Sequence, residues 1–227
     1  MEIATDQNLT ATKIDQIVPY PLAKRLFDFF ASLTGLIIIS PVFLIIFLAM
    51  KLEGLFRPNC RGPFFYKEIR ISQGRPFNFY KIRIFKTEAI KQALGAIGIV
   101  HTKALEIKKE NLTWVGKIIK KFYLDELAQL INVLRGEMSL VGTRPWNPAS
   151  YEREINLGIY RKKMLKAGLT GLVQITKGHH QKYPGRDRGL DDYYVNFCRT
   201  HSSLAILFFD LKIIFLSLFK IIRGEGL

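Results

Sequence analysis

The chain has 227 residues, which is enough for one domain with a substantial hydrophobic core. Lysine and arginine outnumber aspartate and glutamate by 34 to 19, and the resulting formal charge of +15 indicates an anionic partner such as nucleic acid, an acidic membrane surface or a phosphorylated substrate. The two cysteines, Cys60 and Cys198, show neither metal-ligand spacing nor a disulfide framework, which argues against a cysteine zinc site or a disulfide-rich secreted domain and favours a reducing compartment.

The N-terminal part of the chain predicts a surface segment followed by a membrane segment. Residues 1–21 are polar and weakly patterned, whereas residues 22–52 contain a stretch of 22 residues, from 29 to 50, without a charge. As a straight helix this stretch covers about 33 Å, which is enough to cross the hydrocarbon core. Pro41 in its middle removes a helix hydrogen bond and bends the axis, and the hydroxyl of Ser40 can satisfy a carbonyl group that this break sets free.

Basic residues flank the apolar stretch on both sides. Positive residues prefer the cytoplasmic face of a membrane, so a helix that bends at Ser40-Pro41 and returns to the same face satisfies both flanks. The sequence therefore predicts a re-entrant membrane helix hairpin, with a proline-kinked transmembrane anchor as the alternative. The flanking cations are Lys24 and Arg25 before the stretch and Lys51, Arg57 and Arg61 after it.

The rest of the chain, residues 53–227, predicts an α-rich α+β domain. Residues 64–67 and 77–84 have strand composition and flank the turn-rich residues 72–76, which predicts a small β-hairpin. Residues 86–116 are mixed and polar, residues 151–165 predict a charged helix, and residues 176–192 predict a polar loop.

The C-terminal helix predicted over residues 210–223 is amphipathic. Its cations Lys212, Lys220 and Arg223 fall within about 80° of arc at 100° per residue. The wide apolar face favours a helix lying in the membrane interface, and an ordinary core helix is the alternative.

Two adjacent carboxylates, Asp125 and Glu126, open a helical pattern over residues 124–135. Free backbone N–H groups at a helix start favour a negative group, either a carboxylate or a bound phosphate. Arg144, in a Gly-Thr-Arg-Pro turn, offers a planar fork that suits phosphate oxygens. On spacing alone, however, an ordinary helix cap and a solvated arginine explain this block better.

Several blocks, taken in order, resemble the bacterial sugar transferases, which are monotopic phosphoglycosyl transferases acting on undecaprenyl phosphate. Each block is modest alone, but in series they are specific and extend over residues 22–223. The blocks are KRLFD at 24–28, Ser40-Pro41, GPFFYK at 62–67, GRPFNFYKIR at 74–83, LDELAQLINVLRG at 124–136, MSLVGTRP at 138–145 and GLTGLVQ at 168–174.

The resemblance implies transfer of sugar-1-phosphate from a UDP-sugar to undecaprenyl phosphate, with release of UMP and a need for Mg²⁺. Asp125 matches the nucleophile that forms a covalent phosphosugar intermediate, and Glu126 matches its partner in metal binding or proton handling. Such a reaction would open exopolysaccharide, O-antigen or glycoprotein glycan assembly. The remaining positions implied to contact the phosphates or the polar surroundings of the site are Lys81, Arg83, Lys120, Arg144, Gln174 and Asp191. For Gln174 and Asp191, ordinary hydrogen bonds that stabilise the fold are the alternative.

The resemblance also implies partners and a location. The expected partners are a UDP-sugar, undecaprenyl phosphate and membrane lipid, with no nucleic acid, and a homodimer is compatible with the sequence. We expect the inner membrane, with the catalytic domain of residues 53–227 facing the cytoplasm. The sequence does not identify the sugar.

This chain departs from the family pattern at two cationic positions. Lys120 stands where arginine is typical, and after Gln174 the usual Gly-Arg pair is missing, so that Lys177 is the candidate to supply its charge. Two alternatives follow. A non-catalytic membrane adaptor could retain the fold, whereas a basic nucleic-acid binder would explain the charge but leave residues 29–50 without a purpose.

Overall fold

The computed structural model describes residues 16–97, 102–176 and 186–223. Helix α1, Leu22–Phe56, comes first. After a short 3-10 turn at Pro58–Cys60 the chain forms an antiparallel hairpin of β1, Phe65–Ser72, and β2, Arg75–Ile82. The connecting residues Gln73 and Gly74 both have positive φ angles, 49° and 75°, as a tight two-residue hairpin turn requires. The predicted hairpin is confirmed.

Short helices build most of the remaining domain, together with one parallel pair of three-residue strands. The elements are α2 (Thr87–Ile97), α3 (Thr102–Ile107), a 3-10 turn (Lys109–Asn111), α4 (Trp114–Lys121), a 3-10 segment (Leu124–Gln129), α5 (Leu130–Leu134), β3 (Ser139–Val141), α6 (Pro148–Asn156), α7 (Arg161–Met164), β4 (Gly168–Thr170), α8 (Leu172–Ile175), α9 (Arg186–Thr200) and α10 (Ser203–Ile222). Strand β3 pairs with β4.

The helix predicted over residues 124–135 forms in two parts. The chain leaves α4 through Tyr123, which has a left-handed backbone with φ 55°, and enters the 3-10 segment without a side-chain cap. Asp125 therefore lies in a tight 3-10 turn, and the α-helix begins only at Leu130. Asp125 and Glu126 thus lie in the first turn of the helical segment, as the sequence predicts, but this first part is a 3-10 helix and not an α-helix.

Two further sequence predictions need correction. The single helix over residues 151–165 is split into α6 and α7, with Gly158 at a positive φ of 72° between them. Part of the predicted loop over residues 176–192 is helical, because α9 begins at Arg186 and uses polar side chains such as Asp191 inside the fold. The other part of that loop, including Lys177, lies outside the described residues.

Both ends of α1 attach to the same body. Near its start, Lys24 is buried, donates to the carbonyl of Val141 at 3.0 Å and pairs with Asp210 on α10. Near its end, the carboxylate of Glu53 accepts from two backbone N–H groups at the start of α4, at 2.6 and 3.0 Å. The apolar residues between these anchors leave many side chains exposed, and in the described part of the chain α1 is the one helix long and apolar enough to cross a membrane.

Helix α1 continues through Pro41. Proline lacks an N–H group, so the carbonyl of Ile37 loses its helical partner. The hydroxyl of Ser40 donates to this carbonyl at 2.8 Å, as the sequence predicts. The helix is continuous from Leu22 to Phe56, and the re-entrant hairpin stays a prediction.

The two larger of the three hydrophobic clusters among the described residues join the ends of the chain to the domain. One joins the second half of α1, the hairpin, α4 and the 3-10 segment, and its buried members are Ile46, Met50, Tyr80, Ile82, Ile84, Phe85, Leu112, Val115, Ile119 and Ala128. The other joins α7, α9 and α10, with Val18, Val141, Met164, Leu165, Tyr194, Val195 and Ile213 buried. Helix α10 packs through one side and leaves large apolar side chains exposed on the other, among them Phe208 and Phe215, so its interfacial position also stays a prediction.

Candidate active site

Asp125 is held between the hairpin and α4. The 3-10 segment that carries it packs against β2 and α4, and α5 continues directly from that segment. The buried side chain of Asn132 fixes α5 to the hairpin, because its Oδ1 accepts from the N–H of Tyr80 at 3.0 Å and its Nδ2 donates to the carbonyl of Asn78 at 2.6 Å. The same Nδ2 donates to the carboxylate of Glu137 at 2.6 Å. The position of Asp125 is therefore set by a fully buried amide that the sequence alone does not single out.

The carboxyl group of Asp125 is buried, with 7% of the residue exposed. Burial raises the pKa of Asp125 to about 6; the positive charge of Lys81 acts in the opposite direction, and the negative charges of Glu126 and Glu106 add to the rise. At pH 7 about nine in ten of these carboxyl groups are ionised. A buried carboxylate with incomplete compensation is well suited to attack an electrophilic centre.

Lys120 is connected with this carboxyl group through Glu106, whose charge acts on Asp125. Its Nζ donates to Oε2 of Glu106 at 2.6 Å, and both side chains are partly exposed. The backbone also connects Lys120 with the site, since the N–H of Tyr123 donates to its carbonyl group. Glu106 was not identified from the sequence, because it lies in the six-residue helix α3, within a stretch of mixed polar composition that carries no motif.

Asp125 and Glu126 are adjacent carboxylates, a donor set that fits Mg²⁺. Within the described residues there is no group of three or more His, Cys, Asp or Glu side chains that could hold a metal ion. Magnesium typically uses one or two carboxylates and completes its shell with substrate phosphates and water. Two adjacent carboxylates beside the cations that would face a phosphate correspond to that pattern.

Arg83 has a different environment from Lys81, although the two are separated by one residue. Its guanidinium group is buried and donates to three backbone carbonyl groups, those of Pro63 at 2.8 Å, Phe85 at 2.6 Å and Cys60 at 2.9 Å. These contacts fix the connection between α1 and the hairpin. We therefore leave Arg83 out of the proposed phosphate site.

Asp191 belongs to a buried network of charges formed by residues of α6, α7 and α9. Its carboxylate pairs with Arg161 at 3.0 Å and with Lys162 at 2.7 Å, and Arg161 also pairs with Glu154. The aromatic ring of Trp146 packs on both cations. Both cations contact Oδ2 of Asp191, and these buried ion pairs join α7 to α9. Because the charge of Asp191 is balanced inside the fold and a carboxylate repels a phosphate, Asp191 is also left out.

Gln174 and Arg144 keep groups available. The amide oxygen of Gln174 is buried and has no hydrogen-bond partner among the described residues. The guanidinium group of Arg144, half-buried just after β3, has no hydrogen bond or ion pair within the same part of the chain. Of the sequence-predicted residues, Lys81 and Glu126 act electrostatically on Asp125, and Lys120 is linked to the site through its ion pair with Glu106. Arg144 and Gln174 remain predicted ligand contacts.

Comparison with known proteins connects this geometry with a family. A family model described as bacterial sugar transferase matches residues 19–224. The chain is 34% identical over 203 residues to a galactosyl transferase, CpsE, of Streptococcus agalactiae, and 34% identical over 199 residues to an undecaprenyl-phosphate galactose phosphotransferase of Salmonella typhimurium. It is 31% identical over 212 residues to EpsL of Bacillus subtilis, an uncharacterised sugar transferase.

These relatives differ in size. The matched region is 86% and 84% of this chain but only 42% and 40% of the streptococcal and Salmonella proteins. For EpsL the match includes 91% of this chain and 90% of the relative. The chain therefore spans about two fifths of the larger relatives and nearly the whole of the smaller one.

Proposed function

The chain belongs to the bacterial sugar transferase family, and on that premise we propose that it transfers sugar-1-phosphate from a UDP-sugar to undecaprenyl phosphate. The observation that carries this proposal is the buried carboxyl group of Asp125, on which the charges of Lys81, Glu126 and Glu106 act. Lys120 is paired with Glu106. Two of the relatives described above are named for galactose transfer, and one of these names includes undecaprenyl phosphate. This supports the class of reaction and leaves the sugar open.

The reaction we propose has two phosphoryl transfers. In the first, a carboxylate oxygen of Asp125 attacks the phosphorus that carries the sugar, the bond to the bridging diphosphate oxygen breaks, and UMP leaves with that electron pair. In the second, a phosphate oxygen of undecaprenyl phosphate attacks the same phosphorus, and the aspartyl carboxylate is released. The products are undecaprenyl diphosphate sugar and free Asp125, so the protein returns to its starting state.

The surrounding residues offset the charge that these steps bring together. Lys81 stabilises the ionised form of Asp125, and Lys120 can exchange its partner Glu106 for a substrate phosphate. Mg²⁺, held by Asp125 and Glu126 with the substrate phosphates, would neutralise negative charge on the diphosphate. Arg144 is the candidate for a bidentate phosphate contact, because its guanidinium group has no partner in the described part of the chain.

We further propose that α1 enters the cytoplasmic leaflet and returns. Its two ends contact one body through Lys24 and Glu53, and the Ser40 hydroxyl satisfies the carbonyl that Pro41 leaves free. The exposed apolar face of α10 and the exposed cations Lys51 and Arg57 near the end of α1 support contact with an anionic leaflet. This arrangement brings the site to the depth of the acceptor phosphate.

The decisive experiment incubates purified protein with Mg²⁺ and a panel of radiolabelled UDP-sugars. We expect one sugar to give acid-labile label on the protein with stoichiometric UMP when acceptor is omitted, and continuous UMP release when undecaprenyl phosphate is added. Asp125→Asn is expected to abolish both signals. The matched control is Asp192→Asn, since Asp192 is an exposed carboxylate on α9.

Three results would decide against the proposal. Full transfer by Asp125→Asn excludes this nucleophile. The absence of label and UMP with every UDP-sugar supports the membrane adaptor instead. Salt-sensitive binding of DNA or RNA in place of transfer would support the nucleic-acid binder.

A further inference from the structure

A polar cavity of about 570 Å³ lies between the end of α1, the turn at Pro58–Cys60 and the start of α4. Three cations line it from three separate parts of the chain: Arg57, Lys86 and Lys117. Within the described residues, no hydrogen bond or ion pair engages these three side chains. Lys120 and Asp125 are not among the lining residues, so this cavity is separate from the candidate active site.

The acidic groups of the cavity do not neutralise these cations. Glu53 lines it, but its two carboxylate oxygens accept from the backbone N–H groups of Trp114 and Val115 at 2.6 and 3.0 Å. The positive end of α4 thus already balances part of the charge of Glu53. Glu110 is the other acid in the lining and forms no ion pair with the three cations in the structure. The cavity retains positive charge that a phosphate group would complement.

The apolar side chains around the cavity indicate its position relative to a membrane. Leu55 and Phe56, the last two residues of α1, are 66% and 84% exposed. Trp114 and Ile118 of α4 and Phe122, the residue after its end, follow one another at intervals of four residues and are 62%, 46% and 57% exposed, so they form one outward stripe. An exposed tryptophan beside apolar groups and cations is typical of the headgroup level of a bilayer.

We propose that this cavity binds the phosphate group of an anionic membrane phospholipid. The cations of the cavity hold the headgroup, while Leu55, Phe56 and the stripe on α4 contact the acyl region. The proposal rests on the membrane placement of α1 proposed above and is independent of the phosphosugar transfer. The same chemistry would also accept free inorganic phosphate, and the experiment below separates the two sources.

The experiment uses Trp114 as a reporter inside the cavity. The chain has 2 tryptophans, so Trp146→Phe leaves Trp114 as the single source of tryptophan fluorescence. The full-length variant is reconstituted into phosphatidylcholine vesicles in which about one fifth of the lipid is either brominated phosphatidylglycerol or brominated phosphatidylcholine. We expect brominated phosphatidylglycerol to quench Trp114 about twofold more strongly, and we expect this preference to weaken as chloride salt is raised.

Three variants complete the test. Arg57→Gln/Lys86→Gln/Lys117→Gln is expected to remove the preference. The matched control, Lys108→Gln/Lys109→Gln/Lys121→Gln, loses the same charge from exposed lysines outside the cavity and should retain it. Asp125→Asn should also retain the quenching preference, whether or not the wild-type protein shows sugar-phosphate transfer. This variant therefore distinguishes failure of the lipid-binding proposal from failure of the proposed function.

Specific outcomes would overturn the assignment. Equal quenching by the two brominated lipids means that the cavity does not select an anionic headgroup. Loss of the preference in the control variant means that general surface charge is responsible. Loss of the preference on addition of inorganic phosphate, but not of chloride at the same ionic strength, identifies a free-phosphate site instead.

Discussion

Replacing Asp125 with asparagine should abolish transfer and at the same time stabilise the fold at neutral pH. Burial raises the pKa of Asp125 from 3.8 to about 6, so the folded protein binds the proton more tightly than the unfolded chain does. Below pH 4 both states are protonated and the group has no effect. Between pH 4 and 6 the cost of ionising the buried group accumulates, and above pH 6 it stays constant.

The magnitude follows from the two pKa values. They differ by about two, which corresponds to about 3 kcal/mol, and Asp125 is too buried for solvent to screen much of this. Asparagine has nearly the same shape and never ionises. We therefore expect Asp125→Asn to raise the free energy of unfolding by up to about 3 kcal/mol at pH 8, or roughly 6–12 °C in melting temperature for a chain of this size, and to have little effect near pH 4.

The assay measures thermal unfolding by intrinsic fluorescence, in the same detergent at each pH from 4 to 8. A chelator is present so that a bound metal does not contribute to stability. Asp192→Asn serves as the matched control, because Asp192 is an exposed carboxylate on α9. The reasoning is refuted if Asp125→Asn melts at or below the wild-type temperature at pH 8. It is equally refuted if the gain is the same at both ends of the pH range.

Three other predictions concern charge and packing. The rate of covalent labelling should fall as pH drops through about 6. Lys81→Met should move this fall to higher pH, because Lys81 is the main charge that lowers the pKa of Asp125. A pH–rate profile at saturating UDP-sugar measures both effects. Lys24→Met should cost about 3–5 kcal/mol by leaving Asp210 buried without its cation, and the added change Asp210→Asn should restore part of the melting temperature. Gly116→Ala should prevent normal folding, because its Cβ would lie 2.1 Å from a backbone carbonyl oxygen. Gly189→Ala in α9 is the control: its Cβ meets no atom within 4 Å, and the change should raise the free energy of unfolding by up to about 1 kcal/mol in the same thermal melts.

Local patterns explain which parts of the fold could be predicted from the sequence. The β-hairpin follows from alternating strand residues around Gln73-Gly74, where the positive φ angles suit a tight turn. The length of α1 follows from 22 uncharged residues in a row. The division of residues 124–135 could not be predicted, since it depends on the left-handed turn at Tyr123, and a tyrosine in that conformation is uncommon.

The role of individual charges was harder to predict, because it depends on tertiary partners. Lys81 and Arg83 belong to one motif. Lys81 lowers the pKa of Asp125, whereas the guanidinium group of Arg83 donates its hydrogen bonds to three backbone carbonyl groups. Asp191 matches a family position and lies in a buried ion-pair network. Glu106 contacts Lys120 from a helix without any motif. Sequence spacing identifies charged residues of the right type, but it does not say which of them the fold neutralises.

The contacts of α1 explain how a membrane helix can set the depth of the proposed reaction. Ile46 on α1 shares a hydrophobic cluster with Ala128 of the 3-10 segment, and Gly35 lies so close to Leu130 that a Cβ there would be 3.2 Å from the leucine side chain. The segment that carries Asp125 therefore packs directly on the helix that would enter the membrane. Because interiors are close-packed, α1 cannot move without moving this segment. On the proposed function, the depth of α1 fixes the height at which a cytosolic nucleotide sugar and a lipid phosphate meet the same carboxylate.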